Sequence, residues 1–161
     1  MHATIRPAAA FALCSVVALS AGCGGAPTGA RDGLRLELSV DRAAIAVGDS
    51  GTLTMRLHSD ADRAIVLHFG SSCQILPYIE TLTGVAQYPD GGDWGCAAVI
   101  TSLEIPARGF VTRTLVVRGV STGDGLSRAS LPPGAYHAYA RLGRGPSDPF
   151  IQSRVATFEV R

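Results

Sequence analysis

Leu34-Arg35-Leu36-Glu37-Leu38-Ser39-Val40 is the stretch from which the fold can be read. Its apolar side chains stand at every second position, with Arg35, Glu37 and Ser39 between them. Successive side chains of an extended backbone point to opposite faces, so a period of two gathers the apolar groups on one side. The segment is a half-buried strand. The pattern recurs further along the chain. Over residues 52–57 the inward set is Leu53, Met55 and Leu57. Between these runs Asp41-Arg42 is a break, and Ile45-Ala46-Val47-Gly48-Asp49 reads as a short edge segment and turn. Ser59-Asp60-Ala61-Asp62 has turn chemistry, and residues 64–69 resume the strand.

Further strands are expected at 74–80, 97–103, 111–117, 135–142 and 154–160, and nearly every gap carries Gly, Pro, Asp or Ser. No ten-residue window repeats its apolar residues every 3.6 positions behind a cap, so no helix is expected. Seven to nine short strands after residue 34 make an all-β domain, an Ig-like antiparallel β-sandwich over residues 34–161. Two details sharpen this. Leu131-Pro132-Pro133-Gly134-Ala135-Tyr136 sets a Tyr just inside a strand after a Pro-Gly turn, the pattern of a tyrosine corner. Residues 49–57 and 108–117 both alternate after a Gly turn, as facing strands of two opposed sheets do.

The first 22 residues are an address. Met1 to Arg6 carries a positive charge, residues 7–19 are almost unbroken apolar, and Ser20-Ala21-Gly22 leads to Cys23. The apolar run is shorter than the roughly 20 residues a spanning helix needs and matches a cleaved export signal. Leu19-Ser20-Ala21-Gly22-Cys23 resembles a bacterial lipobox, which implies acylation of Cys23 as the first mature residue. It departs in placing Ser20 where the lipobox usually has Leu. Ordinary signal peptidase would cut at the same bond, leaving Cys23 unmodified. Residues 23–33 are small, Gly-rich and polar and read as a flexible tether. Localisation is then the extracytoplasmic cell envelope, with the membrane reached through a lipid anchor. Gly24 rather than Asp after the cysteine points to the outer membrane under the enterobacterial sorting rule.

Charge removes two partner classes. The 161 residues hold 14 basic side chains, all Arg, and losing Arg6 with the signal leaves 13 against 13 acidic residues. A scattered, balanced set offers no footprint for nucleic acid and no polybasic patch for anionic lipid. Of four cysteines, Cys14 leaves with the signal and Cys23 is the lipid acceptor, so Cys73 and Cys96 remain as a pair in an oxidising compartment. The expected disulfide closes a local loop, residues 74–95, rather than spanning a sandwich. No metal site is expected: Cys-x-x-Cys is absent, and His58, His68 and His137 are isolated. No phosphate loop or His-Glu-x-x-His motif calls for a cofactor.

Catalysis has one candidate set, Ser71 and Ser72 after His68, with Asp93 drawn near by the disulfide. Gly70-Ser71-Ser72-Cys73 lacks the strand–elbow–helix setting of a hydrolase nucleophile, and the two serines read as formers of a strand-end turn. The more informative segment is Tyr88-Pro89-Asp90-Gly91-Gly92-Asp93-Trp94-Gly95-Cys96, which holds the only Trp. Tyr88, Asp93 and Trp94 form a candidate partner-binding loop, preorganised by the disulfide. The other arrangement open to Trp94 is to fold back and cap the sandwich.

Residues 52–72 run strand, polar turn, strand, then Phe69 and a Ser-rich tip. Ile105-Pro106-Ala107-Arg108-Gly109 and Leu131 to Tyr136 follow as Pro-Gly turns. In this order they resemble the BsuPI-type domain, named after an intracellular proteinase inhibitor of Bacillus. The resemblance implies an Ig-like fold and a proteinase-inhibitor-like role. Export and the central cysteine pair depart from it. The expected function is a protein-binding module, not an enzyme, with an envelope protein such as a protease as partner. A structural envelope component without a specific ligand is the alternative.

Overall fold

A computed structural model describes residues 30–31, 33–121, 129–143 and 151–161. The residues expected to form an export signal, Cys23 and most of those expected to form a tether lie outside the described residues. In chain order the strands are β1 (Ala30–Arg31), β2 (Leu34–Val40), β3 (Ala44–Ile45), β4 (Ser50–Ser59), β5 (Ile65–Phe69) and β6 (Ile75–Thr81). There follow β7 (Ala86–Tyr88), β8 (Thr101–Ile105), β9 (Phe110–Gly119), β10 (Ala129–Leu131), β11 (Gly134–Leu142) and β12 (Ala156–Val160). A 3-10 turn at Asp90–Gly92 is the one helical element among the described residues.

The strands form two five-stranded sheets, ordered β1-β2-β4-β9-β10 and β3-β12-β11-β6-β7, with the pair β5-β8 beside them. The all-β sandwich is as the alternation implied. Leu34 and Leu36 are buried while Glu37 is exposed, and Leu53, Met55 and Leu57 are buried on β4. Consecutive strands β2 and β3 lie in different sheets, so the start of the domain straps one sheet to the other across residues 41–43.

Three expectations need correction. Residues 49–57 and 108–117 do not face each other across the core. They are β4 and β9, antiparallel neighbours in one sheet, with Leu53 opposite Leu115 and Leu57 opposite Val111. Alternation tells which face is buried and not which sheet owns it. The sandwich is also not purely antiparallel, because β10 joins β9 and β3 joins β12 in parallel. Both are pairs of two or three residues at sheet edges, too short to announce themselves. Lastly, the described strands number twelve rather than seven to nine. The additions β1, β7 and β10 span at most three residues each.

Two apolar clusters share the interior. One, around Leu34, Leu57, Phe69, Ile75 and Leu142, lies at the Leu34 end of the sandwich. The other, around Ile45, Leu53, Ile79, Val117, Tyr136 and Phe158, lies towards the far end. Leu38 and Leu115 pack against both. Glycine permits the tightest approaches. A Cβ at Gly51 would fall 2.6 Å from Ile45 Cδ1, and one at Gly119 would fall 2.6 Å from the Ala46 carbonyl oxygen. The strap thus passes directly over β4 and β9, where any side chain would push it off.

Candidate binding site

The loop between β7 and β8 leaves the edge of the second sheet and runs to the separate β5-β8 pair. β7 ends at Tyr88, which pairs with Ile79 of β6. The 3-10 turn then reverses the chain, with Gly91 at φ 68° and Gly92 at φ 82°, conformations that an L side chain resists. Trp94 is carried back against the sheet. Its ring meets Tyr88 edge-on at 5.2 Å between centroids and Tyr78 edge-on at 6.3 Å. Edge-to-face contact places the positive rim of one ring on the negative face of another. Of the two arrangements open to Trp94, the structure has the folded-back one: Trp94 and Tyr88 are half-buried, and Tyr88 packs on the core. Trp94 Nε1 is buried without a hydrogen-bond partner among the described residues. Asp93 is separate from the aromatic contacts and exposed.

The second half of the loop is bound to residues 71–74. Cys73 and Cys96 lie at disulfide distance, with Cα atoms 5.5 Å apart. The Ser72 amide donates to the Ala97 carbonyl at 3.0 Å, and the Ala97 amide donates to Ser72 Oγ at 3.0 Å. Thr101 Oγ1 donates to the Ser71 carbonyl at 2.7 Å, and the Cys73 amide donates to Ser71 Oγ at 3.3 Å. Both serines therefore build the turn and the clamp, while His68 stands exposed on β5. What this bracing presents is apolar. Ala97, Ala98, Val99 and Ile100 are all exposed, Val99 by 49% and Ile100 by 83%.

Beside the loop, on the outer face of the second sheet, lies a group that sequence reasoning missed. Tyr78 and Tyr139 are register partners on β6 and β11, stacked at 5.2 Å and 9°. The Arg141 guanidinium lies 5.0 Å from both ring centroids, and its Nε donates to Gln152 Oε1 at 2.9 Å. Tyr139 donates its hydroxyl to Glu80. Burial, and after it this hydrogen bond, push the Tyr139 phenol up to about 12. The signal was available: Tyr78 and Tyr139 occupy outward positions between inward Pro77, Ile79, Ala138 and Ala140. Strand register, which pairs them, was not.

The tyrosine corner is present as the motif implied. Tyr136 is buried, and its hydroxyl donates to the Pro132 carbonyl at 2.6 Å. At the Leu34 end, His58 Nε2 lies 3.0 Å from Glu37, which also pairs with Arg35. Burial, then the Arg35 and Arg56 cations, hold the His58 pKa below its usual value even so.

No protein-family model matches this chain, and no curated protein matches it in sequence. Similar solved structures include the alkylpurine DNA glycosylase AlkC of Pseudomonas fluorescens bound to DNA with an abasic site analogue. It is 16% identical at a TM-score of 0.46, covering 83% of this chain and 32% of the glycosylase. A β-glucosidase of Listeria innocua is 15% identical at 0.42, covering 79% of this chain and 16% of the glucosidase. The C-terminal domain of wzt is 11% identical at 0.46, covering 81% and 75% of the two chains. This chain spans about a third of the first protein and a sixth of the second. At such identities and scores the likenesses bear on neither activity nor partner.

Proposed function

We propose that this chain is a lipid-anchored, extracytoplasmic protein-binding module, which presents its disulfide-tied loop to another protein of the cell envelope. The observation that carries the reading is the apolar run from Ala97 to Ile100, exposed to water yet held by Cys73–Cys96 and by both polar groups of Ser72. Ordering a loop costs conformational entropy, and leaving Ile100 in water forgoes its burial. A partner that covers the loop recovers the burial and finds the ordering already done. Tyr88 and Trp94 brace the loop from below, and Asp93 adds an exposed carboxylate at its rim. The export signal and Cys23 support the envelope address, where a disulfide persists.

Binding rather than catalysis is the reading because the hydroxyls of Ser71 and Ser72 already accept backbone amides. The resemblance to the BsuPI-type domain supports a proteinase as the partner class, with the loop entering its substrate cleft. The test is a photo-crosslinking residue at position 100, in cells carrying the full chain with its native signal. One stoichiometric adduct, lost when the loop carries Asp93→Arg or Val99→Asp at unchanged melting temperature, supports the module. Many weak adducts, indifferent to those substitutions, would instead establish a structural envelope component.

A further inference from the structure

The cystine that braces the loop is itself placed for chemistry. Cys96 is exposed and Cys73 half-buried, and neither belongs to the apolar clusters of the interior. A groove of about 320 Å³ runs beside them, with Cys73, Gln74, Trp94, Gly95 and Arg113 in its lining. Arg113 comes from the first sheet. It stands on the core side of β9, opposite buried Met55, and is nevertheless exposed. Its guanidinium donates to the Thr112 carbonyl at 3.2 Å and to Gln74 Oε1 at 3.4 Å, both neutral acceptors. Gln74 in turn donates its Nε2 to the Ser102 carbonyl at 3.0 Å. The side chain next to Cys73 is thus held at both ends, and it keeps the cation in the groove.

The two cysteines are anchored unequally. On the Cys73 side the Gly143 amide donates to the Gln74 carbonyl at 2.6 Å, and a Cβ at Gly143 would fall 2.7 Å from the Cys73 carbonyl oxygen. That side is pinned to the end of β11. The Cys96 amide donates to the Trp94 carbonyl at 2.9 Å, a bond within the loop itself. Thiol–disulfide exchange needs access to one sulfur and a good leaving group in the other. Exposure supplies the first at Cys96. The Arg113 cation in the groove supplies the second, because positive charge stabilises the thiolate that departs from Cys73.

We propose that Cys73–Cys96 is a reducible site, the substrate of a dithiol reductant, and that opening it releases the loop. The reductant's thiolate attacks Cys96 Sγ, the bond between the two sulfurs breaks, and Cys73 leaves as a thiolate beside Arg113. The reductant's second thiolate then attacks its own sulfur in the mixed disulfide, and Cys96 leaves in turn. The reductant ends as a disulfide, having given up two electrons, and its two protons pass through water to Cys73 and Cys96. Cys73 stays with β6, while Cys96 and residues 97–100 lose their covalent hold. That release also governs a partner rests on the loop reading; the exchange itself does not.

The test takes the full chain expressed with its native signal, blocks its free thiols, and follows reduction by dithiothreitol through alkylation and peptide mass. The expected rate rises in proportion to dithiothreitol and exceeds the rate of global unfolding. With glutathione as a probe carrying one thiol, the trapped mixed disulfide sits on Cys96 and the alkylated thiol is Cys73. Arg113→Gln slows reduction about fivefold, the factor of a surface charge pair, and Arg113→Lys restores it. After reduction, amide exchange rises at residues 94–100 and holds in β6 and β11. Four outcomes would overturn the proposal: a rate that saturates at that of unfolding; glutathione on Cys73; indifference to Arg113→Gln; or unchanged exchange at 94–100. None of these readouts involves a partner, so the exchange and the loop reading fail separately.

Discussion

The segment from Pro132 to Tyr136 and the loop from Pro89 to Ile100 are both turn-rich, and both are held by a specific bond. They spend that restraint differently. At the first, a buried phenol reaches back to the Pro132 carbonyl and its ring packs with Phe158 at 5.6 Å, so the turn is fixed by the core it completes. At the second, a cysteine pair and Ser72 fix a run whose apolar side chains stay in water. A corner that buries what it orders is explained by stability alone. A loop ordered without burial is not, and the difference marks the loop as the surface to test for function.

Breaking the corner should have the largest effect. Tyr136→Ala removes a buried aromatic and is expected to cost about 3–5 kcal/mol, read from the urea midpoint at constant slope. Tyr136→Phe keeps the ring and strands the Pro132 carbonyl, for about 1–3 kcal/mol. If the two variants cost the same, the corner acts through its hydrogen bond and not through packing. Replacing both Cys73 and Cys96 with Ser should cost about 3–4 kcal/mol by the loop-closure estimate. Amide exchange at residues 94–100 should rise along with it, since only Ser72 and the ring contacts of Trp94 then hold the loop. A stability loss with unchanged loop exchange would mean that Trp94 and Ser72 suffice to order it.

Titration gives smaller effects, one beside the loop and one at the Leu34 end of the sandwich. Tyr139 binds its proton more tightly folded than unfolded, so its contribution is complete below pH 10 and is lost as pH rises towards about 12. Melting temperature should fall across that window, and Tyr139→Phe should flatten the fall. His58 has the opposite sign. Its pKa is depressed in the folded chain, so its contribution is present above about 6.5 and fades as pH falls. His58→Gln should remove that slope. Least of all should follow from Ile100→Ser: within about 0.5 kcal/mol of the parent, as for a surface site, with the partner lost from a pull-down of the intact chain. A marked loss of stability there would show that Ile100 belongs to the core's account and not to a partner's.

Much of the architecture was legible because it rests on period two. Leu34, Leu36, Leu53, Met55 and Leu57 are buried where alternation put them, and Leu131 to Tyr136 spelled out a corner from Pro, Gly and Tyr alone. What failed to appear is what one strand cannot say about another. That β4 and β9 are neighbours depends on the path between them, and residues 86–88 and 129–131 are too short to show any period. The cysteine pair was legible by elimination, and Tyr88, Asp93 and Trp94 were placed on one loop. The direction of Trp94 was not, because it depends on Tyr78, a residue from another strand. The exposure of Ile100 was masked for a related reason: residues 97–103 read as one strand, while the structure begins β8 at Thr101.

The strap formed by β2 and β3 has a mechanical consequence. The β2 ladder begins at Leu34, and the Arg161 carbonyl accepts the Val47 amide at the opposite end of the sandwich. A load applied between Leu34 and Arg161 runs along the axis of β2, which is in register with β4 from Leu34–Ser59 to Val40–Leu53. Such a load shears the whole ladder at once instead of unzipping it rung by rung. A domain loaded between these two points would yield late, and the loop at its flank would keep its shape under tension.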